Sequence, residues 1–145
     1  MILVDANLLL YAYHPRAAQH EATREWLEAV LSGAELVRFA WLTLWAFLRI
    51  STNPRVFERP LSVGEAERVV SSWLGQPVAG ILEPAERHWE ILRGLTENGQ
   101  TPGPLVMDAA LAAIAIEHGA TLYTTDRDFA RFAGLSWKNP LAAAR

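Results

Sequence analysis

The sequence VMDAALAAIAIEHGATLYTTD, residues 106–126, decides the fold. Its first part is almost entirely apolar or small, which predicts a buried helix over 106–118 that stops at Gly119. The run from Thr121 to Thr125 then predicts a buried strand, and Asp126 follows that strand directly. A helix that stops and leads at once into a buried strand is typical of a parallel sheet covered by helices.

The rest of the chain continues this alternation. We predict strands over 1–5, 36–40, 78–82, 121–125 and an edge strand at 135–137. We predict helices over 7–13, 18–32, 86–96, 106–118 and 127–132. A further helix should begin at a cap on Thr43 and end before Pro54, and another should begin at a Ser62–Glu65 capping box. Residues 97–104 are predicted to be a flexible loop. The fold class is therefore α/β, with helices on both faces of a parallel sheet of four or five strands.

Composition sets the limits of function. The 145 residues suit one domain spanning 1–145, and the 51% of hydrophobic residues are enough for a real core. No apolar run approaches the roughly 18 residues needed to cross a bilayer. The chain opens directly on a strand pattern rather than a signal peptide. Cysteine is absent, which excludes disulfides and thiolate metal sites, and the net charge of −3 gives no global attraction for nucleic acid. We expect a soluble cytoplasmic protein.

Three aspartates stand where a strand ends or a helix begins: Asp5, Asp108 and Asp126. In an open parallel sheet such ends meet at one crevice. Carboxylates about 5 Å apart repel by roughly 3 kcal/mol at an effective dielectric constant near 20, so a group of three needs a divalent cation unless protons or Arg neutralise it. Oxygen ligands alone favour Mg²⁺ or Mn²⁺, and the four scattered histidines make a zinc site a poor alternative.

Each acid also has a purely structural interpretation. Asp5 is a good cap for the helix after it, and Asp108 suits the first turn of a helix because of the helix dipole. Asp126 could begin a turn with Arg127, and Asp128 could cap the helix that contains Phe129. The sequence leaves these alternatives open for each residue taken singly.

Four blocks of the chain form a distinctive set: Val4-Asp5-Ala6-Asn7-Leu8-Leu9, residues 47–57 (FLRISTNPRVF), Asp108-Ala109-Ala110-Leu111-Ala112-Ala113, and Thr124-Thr125-Asp126-Arg127-Asp128-Phe129. In this order and at this spacing they resemble the PIN-domain ribonucleases, and specifically the VapC toxins of toxin–antitoxin pairs. The resemblance covers nearly the whole chain.

This resemblance implies a three-layer, Rossmann-like PIN fold and a Mg²⁺- or Mn²⁺-dependent endoribonuclease that hydrolyses RNA with water activated by the metal. Asp5, Asp108 and Asp126 would be the catalytic, metal-binding acids, and Asp128 an accessory metal-binding acid. The polar supports implied by the resemblance are Asn7 and Thr125. It also implies a VapB-like antitoxin as partner and a homodimer.

One feature departs from the family pattern. The family commonly carries a Glu early in the helix after the second strand, but residues 41–49 contain no carboxylate and Glu35 lies too early. The site would then have three principal acids plus Asp128. This departure keeps a second hypothesis open, a catalytically degenerate PIN domain that binds RNA or protein. A phosphotransfer receiver domain is a third alternative, although Glu83 and Lys138 fit its pattern poorly.

Basic and aromatic residues are less informative. Arg49, Arg55, Arg59 and Arg127 could reach an RNA backbone, or could be surface residues in local ion pairs. Trp41 and Trp45 are predicted to be core or dimer residues, with stacking on an unpaired base as the alternative.

Overall fold

A computed structural model describes residues 1–97 and 102–142 and contains a single five-stranded sheet. The strands are β1 (Ile2–Val4), β2 (Val37–Ala40), β3 (Ala79–Leu82), β4 (Thr121–Tyr123) and β5 (Trp137–Lys138). All neighbouring strands are parallel, in the order β3-β2-β1-β4-β5. The predicted α/β class, the parallel sheet and the edge strand near residue 137 are confirmed.

Six α-helices of the described residues pack against this sheet. They are α1 (Ala6–Tyr13), α2 (His20–Leu31), α3 (Trp41–Ser51), α4 (Val63–Leu74), α5 (His88–Thr96) and α6 (Val106–His118). Short 3-10 turns cover Gly103–Leu105 and Arg127–Arg131. In the parts of the chain that the structure describes, no helix has the length and apolarity needed to cross a membrane.

The sheet separates two apolar clusters because successive side chains of a strand point to opposite faces. On one face Val4 and Phe39 pack with α1 to α4. On the other face Leu3 and Leu122 pack with α6. The two clusters and the sheet between them form the predicted three layers.

The strand order places the end of β1 beside the end of β4. From β1 the chain extends the sheet in one direction through β2 and β3, and then returns to the other side of β1 with β4. The crevice at such a reversal is where open α/β sheets bind ligands. This order also excludes the receiver alternative, because a receiver sheet places its third strand next to its first, whereas β3 here lies at the edge.

Several predicted boundaries need correction. The helix cap predicted at Thr43 is wrong, because α3 begins two residues earlier and Thr43 is a buried residue in its first turn. Half of the loop predicted over 97–104, residues 98–101, falls outside the described residues, and Gly103 and Pro104 begin the 3-10 turn at Gly103–Leu105. The Ser62–Glu65 capping box is confirmed, as is the helix 106–118 with Gly119 as its left-handed stop at φ 66°.

Candidate active site

A buried threonine joins the acids at the ends of β1 and β4. The Thr124 hydroxyl donates to Asp5 Oδ2 at 2.7 Å and accepts from the Asp126 amide at 3.0 Å. Thr124 has 0% of its surface exposed. One hydroxyl therefore holds the two strand ends together and fixes the orientation of the Asp5 carboxylate.

Asn7 belongs to the same network. Its Nδ2 donates to Thr124 Oγ1 at 3.2 Å, while its Oδ1 is buried without a hydrogen-bond partner among the described residues. Asn7 thus contacts the threonine that joins the acids, and its role as a support stays a prediction. The side-chain hydrogen bonds to Asp5 and to the Asp126 amide are made by the buried Thr124, which is the neighbour of the predicted support Thr125.

The Asp5 carboxylate is costly to ionise in this position. Burial raises the pKa of the Asp5 carboxyl above its ordinary value, and the negative charge of Asp126 acts in the same direction. Hydrogen bonds from Thr124 and from the Ala6 amide (2.7 Å to Oδ1) oppose this shift. The bond from Ala6 also makes Asp5 the N-cap of α1, so its structural interpretation holds alongside any chemical role.

Asp108 faces this pair from the first turn of α6. Partial burial raises the pKa of the Asp108 carboxyl to about 6, and the neighbouring charges of Asp5, Asp126 and Asp128 add to the shift. The nearby Arg131 offsets part of it. Asp108 therefore lies within electrostatic range of the other three acids, and its predicted place at the beginning of a helix is confirmed.

Asp126 and Asp128 form a local turn after β4. The Asp128 amide donates to Asp126 Oδ1 at 2.8 Å, which makes Asp126 the N-cap of the 3-10 turn Arg127–Arg131. The cap predicted at Asp128 is therefore supplied by Asp126. The Asp128 side chain is exposed and lies 3.9 Å from the Arg131 guanidinium.

The carboxylates approach one another without forming a ready ligand set. Among residues 1–97 and 102–142, no three His, Asp or Glu side chains are placed to hold a metal ion together. The reason lies in the hydrogen bonds: Asp5 accepts from Thr124 and Ala6, and Asp126 accepts from the Asp128 amide. Like charges without a counter-ion repel, and each carboxylate here takes the nearest donor.

A cavity of about 310 Å³ opens between α3 and α6 above Asp5 and Asp108. Its α3 wall contains no carboxylate; it is made of Leu42, Thr43, Trp45, Ala46 and Arg49. The Thr43 hydroxyl is buried and lacks a partner within the described residues. The helix that lacks a Glu in the sequence is therefore the helix that forms this wall of the cavity.

The predicted RNA-binding arginines are not together. Arg49 lines the cavity with Asp5 and Asp108, and the exposed Arg127 follows Asp126. Arg55 lies on the exposed loop after α3, where its amide donates to Asn53 Oδ1, and it is not part of the cavity wall. Of the two positions predicted for Trp41 and Trp45, the core is wrong, since 41% and 62% of their surfaces are exposed, and the dimer contact stays a prediction.

The model of the PIN-domain family matches residues 2–135. This chain belongs to the PIN-domain family. Within that family it is similar to Ribonuclease VapC37 of Mycobacterium tuberculosis, at 43% identity over 142 residues that cover 98% of this chain and 99% of the relative. Ribonuclease VapC33 of the same species is 39% identical over 97% of this chain and 99% of its own length. These relatives place the chain in the VapC group.

Solved structures show the same PIN fold at low sequence identity. VapBC-1 from nontypeable Haemophilus influenzae is 20% identical, with a TM-score of 0.69 over 98% of this chain and 100% of that one. Mycobacterium tuberculosis VapC20, described as a Sarcin-Ricin loop cleaving toxin, is 18% identical, with a TM-score of 0.66 over 94% of this chain and 99% of that one. At these identities the structures support the fold alone.

Proposed function

We propose that this PIN-domain protein is an endoribonuclease toxin that hydrolyses RNA phosphodiesters with the help of a divalent metal ion, Mg²⁺ or Mn²⁺. The observation that carries the proposal is the meeting of Asp5, Asp126 and Asp108 at the reversal of the strand order. The relatives named ribonucleases, which match over almost the whole chain, support the same conclusion.

The chemistry of the acids fits a hard divalent cation. The donors are all oxygens, and burial together with repulsion from the neighbouring acids raises the pKa of the Asp108 carboxyl to about 6. The buried, unpartnered Asn7 Oδ1 adds an acceptor beside them. Asp5, Asp108 and Asp126 would hold the ion, with Asp128 as an accessory ligand, once their carboxylates turn from their present donors. A bound cation of this kind lowers the pKa of water and stabilises negative charge on phosphoryl oxygens.

The chain's own residues prepare this site. Thr124 keeps Asp5 in one orientation, and Asn7 supports Thr124 from α1. Arg49 is a cation at the edge of the cavity, where it would bind a phosphate of the RNA strand. Arg127, exposed beside Asp126, would extend this contact, and Arg55 would reach only more distant phosphates. Together these residues orient the strand and offset the negative charge of the protein near the site.

We also propose a VapB-like antitoxin as partner, a homodimer as the functional form, and a cytoplasmic location. Similar folds occur in solved toxin–antitoxin complexes, among them one from Klebsiella pneumoniae and VapBC-1 from Haemophilus influenzae. The partner is tested by looking for a short reading frame directly upstream of the gene and, where one exists, by co-expressing and co-purifying the two proteins.

The activity is tested by incubating the purified protein with RNA in Mn²⁺, in Mg²⁺ and in EDTA. We expect cleavage with either metal and none in EDTA. Asp5→Asn and Asp108→Asn should each reduce the rate by about 10²-fold or more, because each removes a charge that the cation needs. Glu86→Gln, a substitution of an exposed acid in the loop before α5, should leave the rate unchanged.

The carboxylate-free wall of α3 favours one alternative, a degenerate PIN domain that binds RNA or protein without cleaving. The same experiment separates the two. Equal rates for the wild-type protein and Asp5→Asn would eliminate the nuclease and leave the binding module.

A further inference from the structure

An exposed tryptophan shares the cavity with the acids. Trp45 has 62% of its surface exposed, although tryptophan is among the most apolar side chains. It lines the cavity together with Asp5 and Asp108. An exposed aromatic side chain in the wall of a site is a feature of ligand recognition, because its burial is completed only when the ligand binds.

Arg49 lies four residues after Trp45 on α3, so both side chains are on the same face of the helix, one turn apart. Arg49 also lines the cavity, and it forms no ion pair among residues 1–97 and 102–142. A flat ring and an available guanidinium one turn apart match the two parts of a nucleotide, its base and its phosphate.

The opposite wall of the cavity adds a second apolar side chain. Met107 precedes Asp108 at the beginning of α6 and has 57% of its surface exposed. Methionine is adaptable and makes favourable contacts with aromatic rings. The cavity of about 310 Å³ is within the range of small-molecule sites and is open between these two walls.

We propose that Trp45 stacks on an unpaired base of the RNA next to the cleaved phosphodiester, while Arg49 binds the adjoining phosphate and Met107 covers the other face of the base. This assignment rests on the proposed nuclease function and identifies the side chains that would recognise an unpaired base beside the acids. A base can reach Trp45 only when it is out of a duplex, since paired bases have their faces covered by stacking. Trp45 would thus select the strand and its position, while the acids would perform the chemistry.

The test begins with a pool of single-stranded RNA oligonucleotides of randomised sequence, from which one cleaved member is taken and its cleavage site mapped. Trp45→Ala should lower kcat/KM on this RNA by about 10- to 100-fold, the range that base stacking on an aromatic side chain supports. Trp45→Phe should keep most of the activity. Trp89→Ala, which removes a tryptophan of 67% exposure on α5 outside the cavity, is the matched control and should behave as wild type.

A second measurement identifies the contact itself. Nucleotides beside the cleaved bond are replaced one at a time by abasic ones. One abasic position should slow the wild-type protein as much as Trp45→Ala does, and should slow Trp45→Ala no further. A merely structural role of Trp45 would instead give two independent, multiplying losses, and would overturn the proposal.

Other outcomes are also decisive. Full activity of Trp45→Ala on an RNA that the wild type cleaves overturns this inference and leaves the nuclease intact. If Trp45→Ala loses activity and also changes its molecular mass in solution, the base-stacking role is overturned in favour of a dimer contact. If Trp45→Ala keeps full RNA activity but no longer binds the antitoxin, the role is overturned in favour of a protein-docking residue. A wild-type protein that cleaves no RNA in Mn²⁺ overturns the nuclease, and this inference with it.

Discussion

The two walls of the site are built differently. The wall at the ends of β1 and β4 is tied together by hydrogen bonds, with the fully buried Thr124 between Asp5 and Asp126. The wall made of α3 and α6 has exposed apolar side chains, Trp45 and Met107, above a buried helical interior. The first wall holds its carboxylates in place by hydrogen bonds without a ligand. The exposed apolar side chains of the second wall would become buried only when a ligand binds.

This difference separates two tasks. Carboxylates that must act together need a fixed geometry, and strand ends supply it because the sheet holds them in register. Recognition of a substrate needs a surface that can vary without disturbing the fold, and exposed helical positions supply that. We therefore expect substitutions in the strand wall to affect both stability and rate, and substitutions of the exposed apolar side chains of the helix wall to affect selectivity.

Among variants that keep every carboxylate of the site, the largest loss should come from the threonine between the acids. Thr124→Val removes a donor to Asp5 and an acceptor for Asn7 and for the Asp126 amide. We expect RNA cleavage to fall by about 10- to 100-fold, as for other groups that orient metal ligands, and the free energy of unfolding to fall by about 1–3 kcal/mol. Thr125→Val is the matched control, and its cleavage rate and urea midpoint should change little. Equal losses in the two variants would contradict the network.

A carboxylate added to the helix wall tests whether that wall limits the affinity for metal. Ala46→Glu places one in the cavity on α3. A unit charge about 5 Å from a divalent ion in water-like surroundings should raise the affinity on the order of tenfold. Mn²⁺ titration calorimetry measures it. Trp41→Glu adds the same charge to the same helix outside the cavity, and a gain as large in this variant would show that the effect is not local.

The pH dependence of stability tests whether the Asp108 carboxyl on α6 has a raised pKa, unlike an exposed aspartate. The pKa of Asp108 rises from 3.8 to about 6 in the folded protein, so between these values the folded state binds more protons than the unfolded chain. Its contribution to stability therefore falls as the pH rises from about 4 to about 6, and then stays constant. In EDTA, Asp108→Asn should be more stable than wild type by about 1 kcal/mol at pH 7.5, after allowance for solvent screening, and by almost nothing at pH 4.

Urea denaturation at the two pH values measures this difference. Glu86→Gln removes an exposed acid away from the site and should show no such change between them. A stability gain of Asp108→Asn that is the same at both pH values would mean that the buried charge of the Asp108 carboxylate is not its cause.

The smallest effect should be that of the exposed acid. The Asp128 side chain is solvent-exposed and paired with Arg131, while its contribution to the turn comes from its backbone amide. Asp128→Asn keeps that amide and should slow RNA cleavage only about two- to threefold, since exposed charges are well screened. Asp126→Asn, measured beside it, should cost far more. A loss with Asp128→Asn as large as that of Asp126→Asn would place Asp128 among the principal ligands.

Local sequence patterns predicted much of this architecture. The helix 106–118 agrees residue for residue, because its apolar run and its glycine stop are both short-range signals. The Ser62–Glu65 box is equally local. The cap predicted at Thr43 is wrong because the tertiary structure overrides the local preference. Threonine favours a cap, but α3 packs against the sheet and begins two residues earlier.

The choice between Thr124 and Thr125 could not be made in the same way. Consecutive residues after a strand point to opposite sides, and which side faces the acids depends on how β4 pairs with β1. The exposure of Trp45 could not be predicted from local sequence either. Its apolar side chain is typical of a core or dimer position, and it lies in the wall of the cavity because α3 is placed beside α6.

Residue types and their periodicity were sufficient to identify the class of fold, the acids and the family resemblance, because each of these is written in short segments. The meeting of Asp5 with Asp126 across more than a hundred residues, through the hydroxyl of Thr124, required the assembled sheet. Strand order and register are set by packing between distant segments, and no short segment carries that information.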